Sequence, residues 1–179
     1  MNDFESRLQT IVAWLTNEYS GIRTGQATPQ LLDSVKVESY GSLMAINQVA
    51  SIGIEDARTI RVSPWDASLV KALETAIRDA DLGVSVVADS SGLRIIFPEL
   101  TGERRTQLLK LAKSKLEDAR VSVRSARDEV MKELEKQQKD NAISEDEKFA
   151  KKDDTQKKVD TANRTLDALY EKKELEITK

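Results

Sequence analysis

Four cations, Lys113, Arg120, Arg124 and Arg127, each follow an apolar residue by one position. The apolar residues Leu109, Ala112, Leu116, Ala119, Val123, Ala126 and Val130 alternate steps of three and four. That spacing predicts a long helix packed along one seam. One residue is a rotation of about 100° on a helix, so the four cations form their own stripe beside the seam. A guanidinium presents a planar fork of donors that meets phosphate oxygens in pairs and keeps its charge at any physiological pH. The chemistry this stripe offers is therefore non-covalent grip on a polyanion. Glu117 and Asp118 lie close by, and the same stripe also reads as the solvated outer face of a bundle helix.

Composition narrows the alternatives. The 179 residues carry a net charge of -3, so any polyanion binding must come from local segregation of charge. There is no histidine and no cysteine. The usual general base, thiolate metal sites and disulfides are thereby absent. No G-x-x-x-x-G-K-[ST] loop is present, so no nucleotide chemistry of that type is expected. Clusters such as Asp79 with Asp81, and Glu145-Asp146-Glu147, fit helix ends better than a metal site, and no EF-hand spacing occurs. The chain reads as a non-enzyme without cofactor or metal. No stretch approaches the roughly 20 apolar residues of a membrane span, and the amino terminus has no leader pattern. The expected location is the cytoplasm.

The elements that position the stripe follow from periodicity. Phe4, Leu8, Ile11, Leu15, Tyr19 and Ile22 recur at three or four residues, with Asn2 and Glu5 as a capping box and Gly25 as a stop. From about residue 26 to 98 the period changes. Val35/Val37, Ile52/Ile54, Ile60/Val62, Val84/Val86 and Leu93–Phe97 read as strands, with Asp89-Ser90-Ser91-Gly92 as a hairpin turn. One helix, about 66–80, interrupts them. Thr101 caps the stripe-bearing helix, which runs to about Gln138. Ser144-x-x-Glu147 is a second capping box, starting a final helix with Phe149, Val159, Ala162, Leu166, Leu169 and Tyr170 on one side. Charged residues at 33% and aromatics at 4% suit helices packed through aliphatic seams. Trp14 and Trp65 adjoin apolar patterns and read as packing residues. The architecture expected is α+β with two domains. Residues 1–24 and 101–179 form an antiparallel three-helix bundle, and residues 26–98 an inserted small α/β, mainly β, domain. Two chain segments cross between them, near 24–26 and 99–101, and suggest a hinge. Arg23 reads as a cap on the end of the first helix, where the helix dipole favours a cation.

With these elements placed, the chain resembles the bacterial ribosome recycling factor family along essentially its whole length. Ile22-Arg23-Thr24-Gly25-Gln26-Ala27-Thr28-Pro29 is similar to the family's I-R-T-G-[RK]-A-[SN]-P segment. Tyr40-Gly41, Pro64-Trp65-Asp66 and Asp81-Leu82-Gly83 resemble further family positions. Leu100-Thr101-Gly102-Glu103-Arg104-Arg105 matches L-T-x-E-R-R, and the run from Ala119 to Asp128 resembles A-R-[VI]-[AS]-[VI]-R-N-x-R-[RD]. Ile143-Ser144-Glu145-Asp146 resembles the inter-helix turn. Gln26, Ser125 and Asp128 depart from the pattern.

The resemblance implies a factor that binds the large ribosomal subunit after termination. Acting with elongation factor G, which hydrolyses the GTP, it splits the ribosome so that its parts are reused. Implied partners are ribosomal RNA of the large subunit and elongation factor G. No membrane is involved, and the factor is a monomer. Implied RNA-binding residues are Arg105, Arg120, Arg124 and Arg127, then Lys113. The implied hinge comprises Thr24, Gly25, Gln26, Glu99, Leu100 and Thr101, and the resemblance implies for Arg23, in place of a helix cap, a position at the ribosome-facing tip of the bundle near that hinge. Long amphipathic helices also suit a dimerising scaffold, and the α/β module an adaptor with a peptide platform. Salt-sensitive pelleting with large subunits separates the first reading from these.

Overall fold

The computed structural model describes residues 2–179, with side chains from Asp3 onward. The expected Asn2–Glu5 capping box lies outside the described residues. In chain order the elements are α1 (Asn2–Ser20), β1 (Lys36–Ser39), β2 (Ser42–Ala45), α2 (Ile46–Val49), β3 (Ala50–Asp56), β4 (Thr59–Pro64), α3 (Val70–Asp79), β5 (Ser85–Asp89), β6 (Gly92–Ile96), α4 (Gly102–Lys139) and α5 (Glu145–Thr178). Short 3-10 turns cover Pro29–Leu32 and Ala67–Leu69. The fold is α+β, with two domains: a three-helix bundle and a small, mainly β module. By compactness the chain divides into Met1–Tyr19 with Leu109–Leu175, and Ser20–Leu108 with Glu176–Lys179.

In the first unit the seam of α4 is buried as its spacing requires. Ala112, Leu116, Ala119, Val123 and Ala126 are all buried. Alanine on one heptad row lets neighbouring helices approach closely, and Leu and Val on the other fill the space. Leu8 and Leu15 of α1, and Val159, Ala162 and Leu166 of α5, complete the core. Ion pairs on the rim give the directions. Arg7 meets Glu129 at 2.6 Å and Lys115 meets Glu18 at 2.9 Å, so α1 and α4 run antiparallel. Arg120 meets Asp167 at 2.7 Å and Lys152 meets Glu135 at 3.1 Å, so α4 and α5 do too. The buried Tyr19 hydroxyl donates to the Ala112 carbonyl at 2.8 Å. Burial pushes this phenol up to about 12, which keeps it a donor.

The turn between α4 and α5 is specified by backbone chemistry. Ala142 N–H donates to the Gln137 carbonyl and Asn141 N–H to that of Gln138, with Asn141 at φ 58. This is a Schellman motif with asparagine in the left-handed position. The predicted capping box follows: Ser144 Oγ accepts from Glu147 N–H at 3.2 Å, and Glu147 Oε2 accepts from Ser144 N–H at 2.8 Å. Ser144→Ala is expected to lower bundle stability by about 1 kcal/mol in urea melts. The Ser144 amide, donating to the Glu147 carboxylate, holds it below the usual range. The folded value is the lower one. The contribution is therefore present above the unfolded glutamate value of about 4.3 and fades as pH falls through the folded one.

Two aromatic expectations fail in this unit. Phe149 is 59% exposed, because its position rotates off the seam that Thr155, Val159, Ala162 and Leu166 define. Trp14 is 38% exposed and lies under the Lys115 ammonium, 5.7 Å from its ring centroid. It acts as a rim cover rather than a core filler.

The second unit is built on a four-stranded antiparallel sheet in the order β3-β4-β6-β5, with β1 and β2 forming a separate hairpin. Cross-strand partners Ile60↔Ile95 and Val62↔Leu93 place four buried residues on one face, covered by Leu73 and Ile77 of α3. On the other face Arg61 and Arg94 are directly opposed. Their repulsion is offset by Asp89, 2.8 Å from Arg61, and by Glu55, 2.9 Å from Arg94. The expected Asp89–Gly92 hairpin is present. Trp65 departs from expectation: it is 71% exposed. Arg23 does not cap α1. Its guanidinium donates to the Pro98 carbonyl and stands 6.0 Å from the Phe97 ring centroid. Burial lowers its affinity for the proton.

Candidate nucleic-acid interface

Antiparallel α4 and α5 enclose a polar groove of about 340 Å³. Arg120, Arg124 and Arg127 form one wall, Gln156, Asn163 and Asp167 the other, and Val123 and Val159 lie between them. The arginines reach one groove because positions 120, 124 and 127 share a helical face adjacent to the buried Ala119, Val123 and Ala126.

Their environments differ. Arg120 is held by two carboxylates, Glu117 Oε1 at 2.6 Å and Asp167 Oδ1 at 2.7 Å. The hydrogen bond to Asp167 is the main reason its proton is bound more firmly than usual. Arg127 grips one oxygen of its neighbour Asp128 through Nε at 3.1 Å and Nη2 at 2.8 Å. Arg124 is exposed and has no ion pair or hydrogen bond among the described residues. Lys113 is exposed and unpaired in the same sense; it lies on the same helix but does not line the groove. Arg105 belongs to the second unit. It is half-buried, reaches the Thr178 carbonyl at 3.4 Å, and leaves a buried Nε without a partner.

The stripe is therefore not an unbroken cationic ridge. Three arginines share the groove and its edges with Glu117, Asp128 and Asp167. Local charge nearly cancels, so long-range attraction of a polyanion is weak here and short-range donor geometry decides. Periodicity of α4 alone does not show Asp167, Gln156 or Asn163. A signal for the last two exists in α5: they stand one heptad apart, beside Val159 and Leu166.

Thr24, Gly25, Gln26, Glu99, Leu100 and Thr101 all fall within the second unit. Gly25, Gln26, Glu99 and Leu100 border a cleft of about 420 Å³ with Arg58 and Arg105. Thr24 is buried, and a Cβ added at Gly25 would meet no atom within 4 Å. Arg58 pairs with Glu99 at 2.9 Å.

Fold and groove define the class: a two-domain α+β protein whose first helix returns, after a mainly β insertion, to two long antiparallel helices. Comparison with known proteins narrows the class. The sequence profile of the ribosome recycling factor family matches residues 15–178. The ribosome-recycling factor of Symbiobacterium thermophilum is 40% identical over 177 residues, covering 99% of this chain and 96% of that protein. That of Chlorobium limicola is 44% identical over 176 residues, covering 97% and 95%. A solution structure of the ribosome recycling factor superposes with a TM-score of 0.82 at 34% identity, over 99% of this chain and 94% of that one. A T. thermophilus ribosome recycling factor, placed with E. coli elongation factor G on the E. coli post-termination complex, superposes with a TM-score of 0.69 at 38% identity, over 99% and 96%. The chain belongs to the ribosome recycling factor family. Among the described residues, no helix is long and apolar enough to cross a membrane.

Proposed function

We propose that this protein recycles ribosomes. It binds the large subunit of the post-termination complex as a cytoplasmic monomer and, with elongation factor G, drives the subunits apart. The GTP is hydrolysed by that partner; this chain contributes binding and mechanical work, not catalysis. The observation that carries the reading is the likeness, over 99% of the chain, to a recycling factor placed beside elongation factor G on the post-termination complex. Light scattering of purified post-termination ribosomes tests it. Elongation factor G, GTP and this chain together should produce rapid splitting, and any one omitted should abolish it. A mixture of all three that leaves ribosomes intact sinks the reading.

Within it, Arg105, Lys113, Arg120, Arg124 and Arg127 contact ribosomal RNA, mainly its phosphates. The segments Thr24-Gly25-Gln26 and Glu99-Leu100-Thr101 bend as the small domain moves. The steric freedom around Gly25 makes this testable. Gly25→Ala should leave thermal stability equal or raised by about 0.4–1 kcal/mol, since the unfolded chain loses freedom. It should nevertheless slow splitting. Splitting at the parental rate removes Gly25 from the bending step.

A further inference from the structure

Two polar side chains of the α4–α5 groove face each other without a partner. The contact of Arg120 with Asp167, at 2.7 Å, fixes the register of the two antiparallel helices. Four residues on from Arg120 is Arg124, and four back from Asp167 is Asn163, so these two stand across the groove from one another. Neither makes an ion pair or hydrogen bond among the described residues. The other amide of the groove is committed, since Gln156 Nε2 donates to Asp160 Oδ1 at 2.8 Å. Thr161 and Thr165, on either side of Asn163, return their hydroxyls to helix carbonyls. Asparagine is a weak former of helix interiors and favours helix ends, where its side chain bonds the backbone. Asn163 instead lies in the middle of α5, half-buried, next to the buried Ala162.

We infer that this groove takes one unstacked adenine nucleotide of RNA, with Asn163 bonding the edge of the base and the exposed Arg124 holding its phosphate at the rim. A carboxamide carries a donor and an acceptor side by side. Adenine offers the matching pair on either edge, an amino group next to an acceptor nitrogen, and asparagine meets that pair with two bonds. Proteins read folded RNA by bonding such edges of unstacked bases. The acidic residues of the groove suit a base better than a run of phosphates. Asp167 spends Oδ1 on Arg120 and has a second oxygen to accept from the adenine amino group. The same carboxylate repels a phosphate lodged inside the groove. Uracil, which has no amino group, leaves both the Asn163 and Asp167 acceptors unmet and is rejected.

The inference rests on the recycling reading for its RNA, that of the large ribosomal subunit. The full chain is bound to purified large subunits, and the RNA is probed with dimethyl sulfate at adenine N1, diethyl pyrocarbonate at adenine N7 and hydroxyl radicals along the backbone. One unpaired adenine should be protected at N1 or N7 within the backbone footprint. Asn163→Leu, at saturating protein, should keep the backbone footprint and lose that protection. Its affinity should fall by about fivefold to a hundredfold, the discrimination carried by one bidentate amide–adenine pair. Its salt slope should stay that of the parent, because a base contact releases no counterion. Asn163→Ala, which favours the helix, should behave alike and decides the matter if leucine disturbs the packing. A backbone footprint without a protected adenine overturns the proposal, as does protection that survives both substitutions. A flattened salt slope also overturns it, by making Asn163 a phosphate contact. Failure of the recycling reading is distinct. A parent chain that footprints but splits no ribosomes ends that reading alone, and one that leaves no footprint ends both.

Discussion

Arg124→Ala is expected to weaken binding to purified large ribosomal subunits by about tenfold to a hundredfold, the worth of one hydrogen-bonded charge pair. The slope of log affinity against log salt should flatten by roughly 0.7–0.9, one phosphate contact. Arg124 alone of the three groove arginines has its whole donor fork uncommitted among the described residues. Arg127 already turns two N–H groups toward Asp128, so Arg127→Ala should cost less and change the slope less. Arg120 is different in kind. It bridges α4 to Asp167 of α5, and Arg120→Ala should remove about 0.2–1 kcal/mol of bundle stability, as partly exposed pairs do. Co-sedimentation across a salt series, with melts of each variant, separates the three. Equal losses for all three would return the groove to a uniform cationic patch. An unchanged slope for Arg124→Ala would remove it from the RNA interface.

The same three arginines mark how far a sequence can be read. The helix, its seam and the sharing of one face by positions 120, 124 and 127 follow from a period of 3.6 and are legible. The partners of those arginines are not. Asp167 meets Arg120 only when two helices distant in sequence settle into one register, and periodicity within either helix is silent on register. The small domain shows the same limit. Strands with alternating apolar residues are readable, including Ile60/Val62 and Leu93/Ile95. Strand β2, Ser42–Ala45, lacks both alternation and β-branching, and its turn uses Tyr-Gly where a period-based reading looks for Asn-Gly. Trp65 reads as a packing residue because it adjoins an apolar pattern, and Phe149 because it falls in with the apolar side of the last helix. Both adjoin apolar patterns without lying on their buried face. Closeness in sequence is not shared phase.

Gly92→Ala should have the largest effect on folding of any single methyl addition considered. Gly92 opens β6 at φ +134, where side chains are rarely tolerated, and a Cβ there would lie 2.3 Å from the Val62 carbonyl oxygen and 3.0 Å from Pro64 Cδ. The first obstacle is main chain of the adjacent strand β4, which cannot swing aside as a flexible side chain can. Backbone strain of about 1–3 kcal/mol adds to overpacking of similar size. The sum, about 2–6 kcal/mol, rivals the whole stability of a small domain. Amide exchange in β4 and β6 should therefore become fast at neutral pH while the exchange-protected amides of α4 and α5 keep their protection. Gly53→Ala is the matched control: it lies on β3 of the same sheet, has no atom within 4 Å of the added methyl, and should leave exchange nearly unchanged. If the two variants behave alike, the close approach of β6 to β4 is not what requires glycine at the turn. The Asp89–Gly92 hairpin would then be held by its side-chain bonds, Asp89 to Ser91 N–H and to Arg61, rather than by the bare backbone.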